Sequence, residues 1–395
     1  MFFFNPEKYR KDFPVLQKKI IYMDSSCVSL KPTQVVDEMN KYYNEYPACG
    51  GRSNHRLGVQ VTNAIEESRK KASNFFNSKK DEIVFTKNTT ESINILANSL
   101  GLKKGEKVLI SNKEHNSNLV PWQVLAKNKG INLEFYEFDN HESFSKKVIG
   151  ARLASFVNTS NLDGSSQDVK ELTRIAHESG AKVMIDGAQS APHKEINVKK
   201  IGAEFYAASG HKMLGPSGTG ILYGKREELE SLNQFITGGE TVKDTTYESH
   251  EIEDVPHRFE AGLQNYAGII GLGAAFDYLN KVGLNNIQKF ETKLNKIMTD
   301  ELKNIKELSI LGPEDPEKRS GIVSFNIKGI DPHDIALQLD SQQKIMIRSG
   351  YHCCHSWFNA NNIKGSARAS LYFYNTEDEV RKFVETLKKS ISILK

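Results

Sequence analysis

The stretch Val183-Met184-Ile185-Asp186-Gly187-Ala188-Gln189-Ser190 runs from apolar residues into an acid and then into small residues. It reads as a buried strand, Lys182–Asp186, that ends on a carboxylate. Similar short apolar runs recur at Glu82–Thr86, Lys107–Ser111, Asn132–Tyr136, Leu153–Asn158, Phe205–Ser209 and Gly220–Tyr223. Helical patterns fall between them at Thr90–Leu100, Leu119–Asn128, Val169–Ser179 and Val198–Gly202. Strands that alternate with helices form crossover units and a mostly parallel sheet covered on both faces. The fold class is therefore α/β.

Beyond Gly262 the pattern changes. A long helical stretch, open to a break, runs from about Ala267 to Leu308 and begins with the apolar, glycine-bearing Gly268–Ala275. Gly321–Ile327 reads as a strand, Pro332–Leu339 as a helix, Ala367–Phe373 as a strand and Glu377–Leu394 as the last helix. This is a smaller α+β unit. We expect a large domain over residues 15–284 and a small C-terminal domain over 285–395. Residues 1–14 are expected to pack on the small domain, with Phe13 as the anchor.

A chain of 395 residues exceeds the usual single domain, which agrees with two. Its 38% hydrophobic and 26% charged content suits a globular protein. The net charge of +4, from 53 basic and 49 acidic residues, is too small over this length to imply nucleic-acid or membrane binding. No apolar run approaches the roughly 18 residues that cross a bilayer. Phe2, Phe3 and Phe4 precede mixed charges rather than the layout of a signal peptide, so a cytoplasmic protein is expected. The four cysteines, Cys27, Cys49, Cys353 and Cys354, include no C-x-x-C pair, and no metal site is expected.

In open parallel sheets, ligands bind beyond the carboxyl ends of the strands. Asp186 stands at such an end, where it either points into a site or caps the next turn. Lys212 lies in Ala207-Ala208-Ser209-Gly210-His211-Lys212-Met213-Leu214-Gly215-Pro216. It is either a surface lysine or one held in a shaped, desolvated loop, where its lowered pKa lets it form imines. A pyridoxal-phosphate (PLP) site needs such a lysine and an acid for the ring nitrogen. Lys87-Asn88-Thr89-Thr90-Glu91-Ser92 opens a helix after a strand, which is either an ordinary cap or a phosphate cradle. Ser209 and His211 offer further donors, and His115 follows the strand Lys107–Ser111.

These motifs resemble fold-type I PLP enzymes of the class V aminotransferase group, and specifically the SufS-type cysteine desulfurases and their selenocysteine lyase relatives. The resemblance runs from about Phe13 to the C-terminus. It rests on Tyr22-Met23-Asp24-Ser25, His55-Arg56, Thr89-Thr90-Glu91, Glu114-His115-Asn116, Ser160-Asn161, Asp186-Gly187-Ala188-Gln189, Ser209-Gly210-His211-Lys212, Arg258-Phe259-Glu260-Ala261-Gly262 and Arg348-Ser349-Gly350-Tyr351-His352-Cys353.

The resemblance implies PLP bound covalently by Lys212, which also shuttles protons. Asp186 would pair with the ring nitrogen, Gln189 would approach the ring hydroxyl and His115 would stack on the ring. Thr90, Ser209 and His211 would hold the phosphate, while Asn161 and Arg368 would take the substrate carboxylate. Cys353 would accept sulfur from L-cysteine as a persulfide, leaving L-alanine, with His352 and nearby cations favouring its thiolate. A sulfur-acceptor protein, iron–sulfur cluster assembly and a homodimer follow from the same resemblance. A selenocysteine lyase, or an aminotransferase or epimerase without a persulfide, is the alternative; a non-catalytic paralogue is a more distant one.

The sequence departs from the family at three places. Leu263 stands where a threonine usually reaches the partner subunit's phosphate, with Gln264 as a substitute. Ser26 and Cys27 replace small residues after Asp24. Cys354 adds a thiol beside Cys353, either as a bystander or as a second sulfur acceptor.

Overall fold

The computed structural model describes residues 4–395. Its main sheet has seven strands: β1 (Ile83–Thr86), β2 (Lys107–Ser111), β3 (Asn132–Tyr136), β4 (Ala151–Val157), β5 (Lys182–Asp186), β6 (Phe205–Ser209) and β7 (Gly220–Gly224). Their spatial order is β1-β7-β6-β5-β4-β2-β3. The pairs β2–β3, β2–β4, β4–β5 and β5–β6 are parallel. Only β7 runs the other way, antiparallel to both β1 and β6.

Burial explains why these strands read so clearly. β1, β6 and β7 are buried at every residue, and β5 at all but its first. A strand covered on both faces must be apolar throughout. β3, at the sheet edge, is mostly solvent-exposed and carries Asn132 and Glu134 among its apolar residues. Charged and polar side chains on an edge guard against pairing with another chain.

The long helical stretch divides at Gly283, whose φ of +87° suits a residue without a side chain. Tyr266–Val282 and Leu284–Leu302 result, so the helix expected to reach Leu308 stops earlier. Leu308 instead opens β8 (Leu308–Leu311). With β9 (Ile322–Ile327), β10 (Arg348–Gly350) and β11 (Ser366–Ser370), it forms an antiparallel sheet of order β8-β9-β11-β10. The helices Leu284–Leu302, Pro332–Gln343 and Glu377–Leu394 share one apolar cluster with this sheet.

The strand expected over Ala367–Phe373 ends at Ser370. Tyr372, Phe373 and Tyr374 instead form a buried aromatic knot around Phe13, whose ring lies 4.9 Å from Tyr374 and 5.9 Å from Phe373. Phe13 also meets Tyr278 at 6.0 Å, so the N-terminal segment packs on the long Tyr266–Val282 helix as well as on the C-terminal region. Residues 1–3 of that segment lie outside the described residues.

Two helices, Thr33–Glu45 and Arg56–Phe76, have no counterpart in the sequence reading. Tyr266–Val282 lies against both of them. A Cβ on Gly271 would come within 2.7 Å of Met39, and one on Gly273 within 2.5 Å of the Ser68 hydroxyl. Those two glycines let the helices approach.

Arg69, from the second of these helices, makes two hydrogen bonds to Glu260, at 2.8 and 2.9 Å. Both side chains are buried, and the Phe85 N–H of β1 donates to the same carboxylate at 2.7 Å. Burial alone would raise the Glu260 carboxyl, but Arg69, His257 and the Phe85 N–H outweigh it and hold it down to about 2. Removing one partner strands the other charge, so Arg69→Leu is expected to cost about 3–5 kcal/mol in urea unfolding. Because the folded carboxyl titrates below its ordinary value of 4.5, the pair's contribution is complete above that pH. It is lost as the pH falls toward 2. A loss below about 1 kcal/mol at pH 7 would contradict this account.

Candidate active site

The carboxyl ends of β4, β5 and β6 open into a cavity of about 200 Å³. All ten sequence-predicted site residues line it: Thr90, His115, Asn161, Asp186, Gln189, Ser209, His211, Lys212, Cys353 and Arg368. The chain brings them from both sheets and from the turns between.

Lys212 ends a tight 3-10 turn, Gly210–Lys212, directly after β6. Burial lowers its ammonium pKa, and Asp186 opposes the shift. Asp186 is the last residue of β5, and its carboxyl is raised by burial against the opposing pull of the Ala188 N–H and Lys212. Its Oδ1 accepts from Ala188 at 2.9 Å. Gln189 donates its Nε2 to the Ser26 carbonyl at 2.7 Å, while its buried Oε1 has no partner. That oxygen is an acceptor awaiting a hydroxyl or N–H.

His115 starts the turn that leads into helix Val120–Lys129. Its Nδ1 accepts from the Ser117 N–H at 3.0 Å, which leaves a ring proton on Nε2. Burial, then Lys212 and Arg368, lower its pKa to about 3, so the ring is neutral. His211 is likewise lowered to about 4, chiefly by burial.

The N-terminus of helix Thr89–Ser99 supplies the hydroxyl cluster. Asn88 caps it by accepting from the Glu91 N–H at 2.9 Å. Ser209 Oγ accepts from the Thr89 N–H at 3.0 Å and lies 2.8 Å from the Thr89 hydroxyl, and Thr90 Oγ1 lies 2.7 Å from Ser117 Oγ. Hydroxyls gathered at a helix N-terminus suit an anion.

The opposite wall comes from β10, β11 and the loop after β10. Arg368, on β11, is buried; its Nη1 donates to the Asn161 carbonyl at 2.9 Å and its Nη2 lies 3.4 Å from Asp24. Its Nε has no partner. Asn161 Nδ2 donates to the His352 carbonyl at 2.7 Å. Cys353 is exposed at the cavity mouth with a left-handed φ of +58°.

One expectation changes, at His352, and the structure adds detail at Gln264, Leu263 and Cys354. Burial, then Arg368 and Arg348, lower His352 to about 2, so it is neutral and adds no positive charge beside Cys353. Gln264 spends its amide on the Ala261 and Gly262 carbonyls at 3.0 and 3.1 Å, so it is tied into its own turn. Leu263 is exposed. Cys354 is buried and donates its thiol to Asn161 Oδ1 at 3.2 Å, and burial pushes that thiol up to about 12. It is therefore no ready nucleophile.

Sequence reading names no individual role for Ser117, Ser26, Cys27 and Arg348, and offers Asn88 and Thr89 only as part of a cap or phosphate cradle; all six also line the cavity. Asn88 and Thr89 are signalled by the helix start beside Thr90. Arg348 is signalled only by its place in the Cys353 motif.

These residues fit PLP. A buried acid and a buried amine lie on adjacent strand ends, an unpartnered acceptor waits at Gln189, and hydroxyls gather at a helix start.

The same assembly is found in known proteins. The Aminotransferase class-V family model matches residues 21–383. A probable cysteine desulfurase of Pyrococcus abyssi is 42% identical over 99% of this chain and 98% of that protein. A cysteine desulfurase of Haloferax volcanii is 36% identical over 96% and 95%. Among solved structures, the apo cysteine desulfurase of Thermococcus onnurineus superposes with a TM-score of 0.96 at 41% identity over the whole of both chains. The cysteine desulfurase CsdA of Escherichia coli, solved as its S-sulfonic acid, gives 0.92 at 30% identity, again over both whole chains. With a family match across most of its length and full-length relatives well above 30% identity, the chain belongs to the class V aminotransferase family, among the cysteine desulfurases.

Proposed function

We propose that this chain is a PLP-dependent cysteine desulfurase that converts L-cysteine to L-alanine and holds the released sulfur on Cys353 for an acceptor protein. The observation that carries the reading is the position of Cys353. It shares one cavity with Lys212, Asp186 and Arg368 in a chain whose full-length relatives bear that name.

When bound, PLP supplies the electron sink for breaking bonds at the substrate's α- and β-carbons. Lys212, its amine favoured by burial, holds the cofactor, then takes and returns the α-proton. Asp186 would pair with the ring nitrogen, and neutral His115 would stack on the ring with its Nε2 proton available. The unpartnered Gln189 oxygen would take the ring hydroxyl. Thr90, Ser209 and His211 would hold the phosphate. Arg368 and Asn161 orient the substrate carboxylate, since a guanidinium matches a carboxylate fork.

The thiolate of Cys353 attacks the substrate sulfur. A new S–S bond forms, the Cβ–S bond breaks, and its electron pair stays on carbon. Protonation of that fragment gives alanine, and Cys353 carries the persulfide. A homodimer in the cytoplasm completes the reading. Among the described residues, no helix is long and apolar enough to cross a membrane.

Cys353→Ala should reduce both alanine and sulfide from L-cysteine to background while the cofactor absorption band persists. Undiminished alanine release by that variant would remove Cys353 from the chemistry.

The two adjacent thiols should also separate by alkylation. Iodoacetamide at pH 8 is expected to label Cys353 in the native holoenzyme and leave Cys354 unlabelled, with both labelled in urea. Equal native labelling, read by peptide mass, would show that Cys354 is not sequestered.

A further inference from the structure

Cys27 is the second thiol that faces the catalytic cavity, and the desulfurase reaction makes no use of it. It closes the turn Asp24-Ser25-Ser26-Cys27, in which its N–H donates to the Asp24 carbonyl at 3.0 Å. Its sulfur accepts from Arg348 Nη1 at 3.0 Å. Arg348 belongs to β10, five positions before Cys353 on the same segment. Both sulfurs are near enough to Lys212 to favour its charged form. The site therefore holds two thiols, one half-buried against a guanidinium and one exposed at the mouth.

The segment that carries Cys353 is held by its backbone and leaves the sulfur untied. No hydrogen bond holds that side chain among the described residues. Gly350, His352 and Cys353 all have positive φ, at +110°, +48° and +58°. The Cys353 carbonyl accepts from the Asn116 N–H at 2.8 Å, which anchors the loop while leaving the side chain free. Cys354, the competing thiol, is locked to Asn161 and buried.

We propose that Cys27 is a resolving thiol for the Cys353 persulfide, an inference that rests on the desulfurase reading. The Cys27 thiolate attacks Sγ of Cys353. The persulfide S–S bond breaks, hydrosulfide leaves with the electron pair, and a Cys27–Cys353 disulfide forms. The sulfane sulfur is reduced by two electrons, and the two cysteine sulfurs supply them. Arg348 presents the attacking sulfur, which its Nη1 holds at 3.0 Å on the cavity wall. A disulfide needs the two Cα atoms within about 7 Å, and both cysteines line the same cavity. A small thiol or dithiol reductant then restores both cysteines. With neither a protein acceptor nor a free thiol remaining, the enzyme would release sulfide once and lock itself until reduced.

The test uses the PLP-loaded holoenzyme under anaerobic conditions, with one equivalent of L-cysteine per site, so that no free thiol outlasts a single turnover. Samples are quenched with N-ethylmaleimide and mapped by non-reducing peptide mass analysis, with alanine and sulfide measured alongside. The expected result is a cross-linked Cys27–Cys353 peptide pair that rises with sulfide. In Cys27→Ser and in Cys27→Ala, the persulfide should instead accumulate on Cys353 and sulfide should fall. Alanine formation with persulfide retained on Cys353 and no cross-link in the unaltered enzyme would overturn the inference while leaving the desulfurase reading intact. Absence of alanine from the unaltered enzyme would overturn both. The cofactor band of each variant, compared with the unaltered holoenzyme, shows that the site is still assembled.

Discussion

An acid and an amine buried together at the ends of neighbouring strands set the terms for the rest of the molecule. Asp186 closes β5 and Lys212 follows β6, and those strands pair in parallel with Asp186 opposite Ala207. Burial penalises both charges, raising the carboxyl and lowering the amine, and each partner works against the other's shift. Such a pair is costly unless its surroundings are dry, fixed and fully hydrogen-bonded. Strands covered on both faces provide the dry frame, and parallel pairing aligns their carboxyl ends. The turn after β6 is then forced to be tight: a Cβ on Gly210 would sit 2.2 Å from the Thr219 hydroxyl. Glycine there brings the lysine loop down onto β7.

A second electrostatic knot closes the cavity from the other side. Asp24 lies 3.4 Å from Arg368 and 3.8 Å from Arg348, and its carboxyl is raised by burial against the pull of both arginines. It belongs to the N-terminal segment, which β11 holds through the Ser370 N–H bond to the Met23 carbonyl at 2.7 Å. The two arginines belong to the paired strands β10 and β11, where they stand opposite each other. Three distant parts of the chain therefore converge on one carboxylate. Arg368 is held at Nη1 by the Asn161 carbonyl while its Nε has no partner.

Much of this is legible in the sequence, for physical reasons that differ by element. β2, β3, β5 and β6 are legible to the residue, because short apolar runs between charged or glycine boundaries have few other uses. The helices Thr33–Glu45 and Arg56–Phe76 are not. The second contains Gly58, Thr62, Asn63 and several β-branched residues, which are poor helix formers. Packing against the glycine-bearing Tyr266–Val282 helix stabilises it more than propensity does. Asp186 and Lys212 stand out in the sequence because they close or follow buried strands, whereas Gln189, Asn161, Cys353 and Arg368 are reached through the family resemblance; all ten line one cavity. The pairing of Arg348 with Cys27 is not, since that contact joins positions more than three hundred residues apart. The neutrality of His352 is also hidden, because it depends on burial and on two arginines held close by the fold.

The adjacent thiols show how one backbone step divides chemistry from structure. Cys353 and Cys354 have the same side chain and neighbouring positions, yet one is exposed and the other buried. The left-handed turn at His352 and Cys353 rotates consecutive side chains apart. Cys353 therefore reaches the cavity mouth, while Cys354 packs with Leu162 and Phe358 and bonds to Asn161. Through that bond the buried thiol orients the amide whose other end grips the His352 carbonyl. The loop is fixed at its base by the inert cysteine and left free at its tip for the other one. A nucleophile at the cavity mouth is consistent with this division between an anchored base and an exposed side chain.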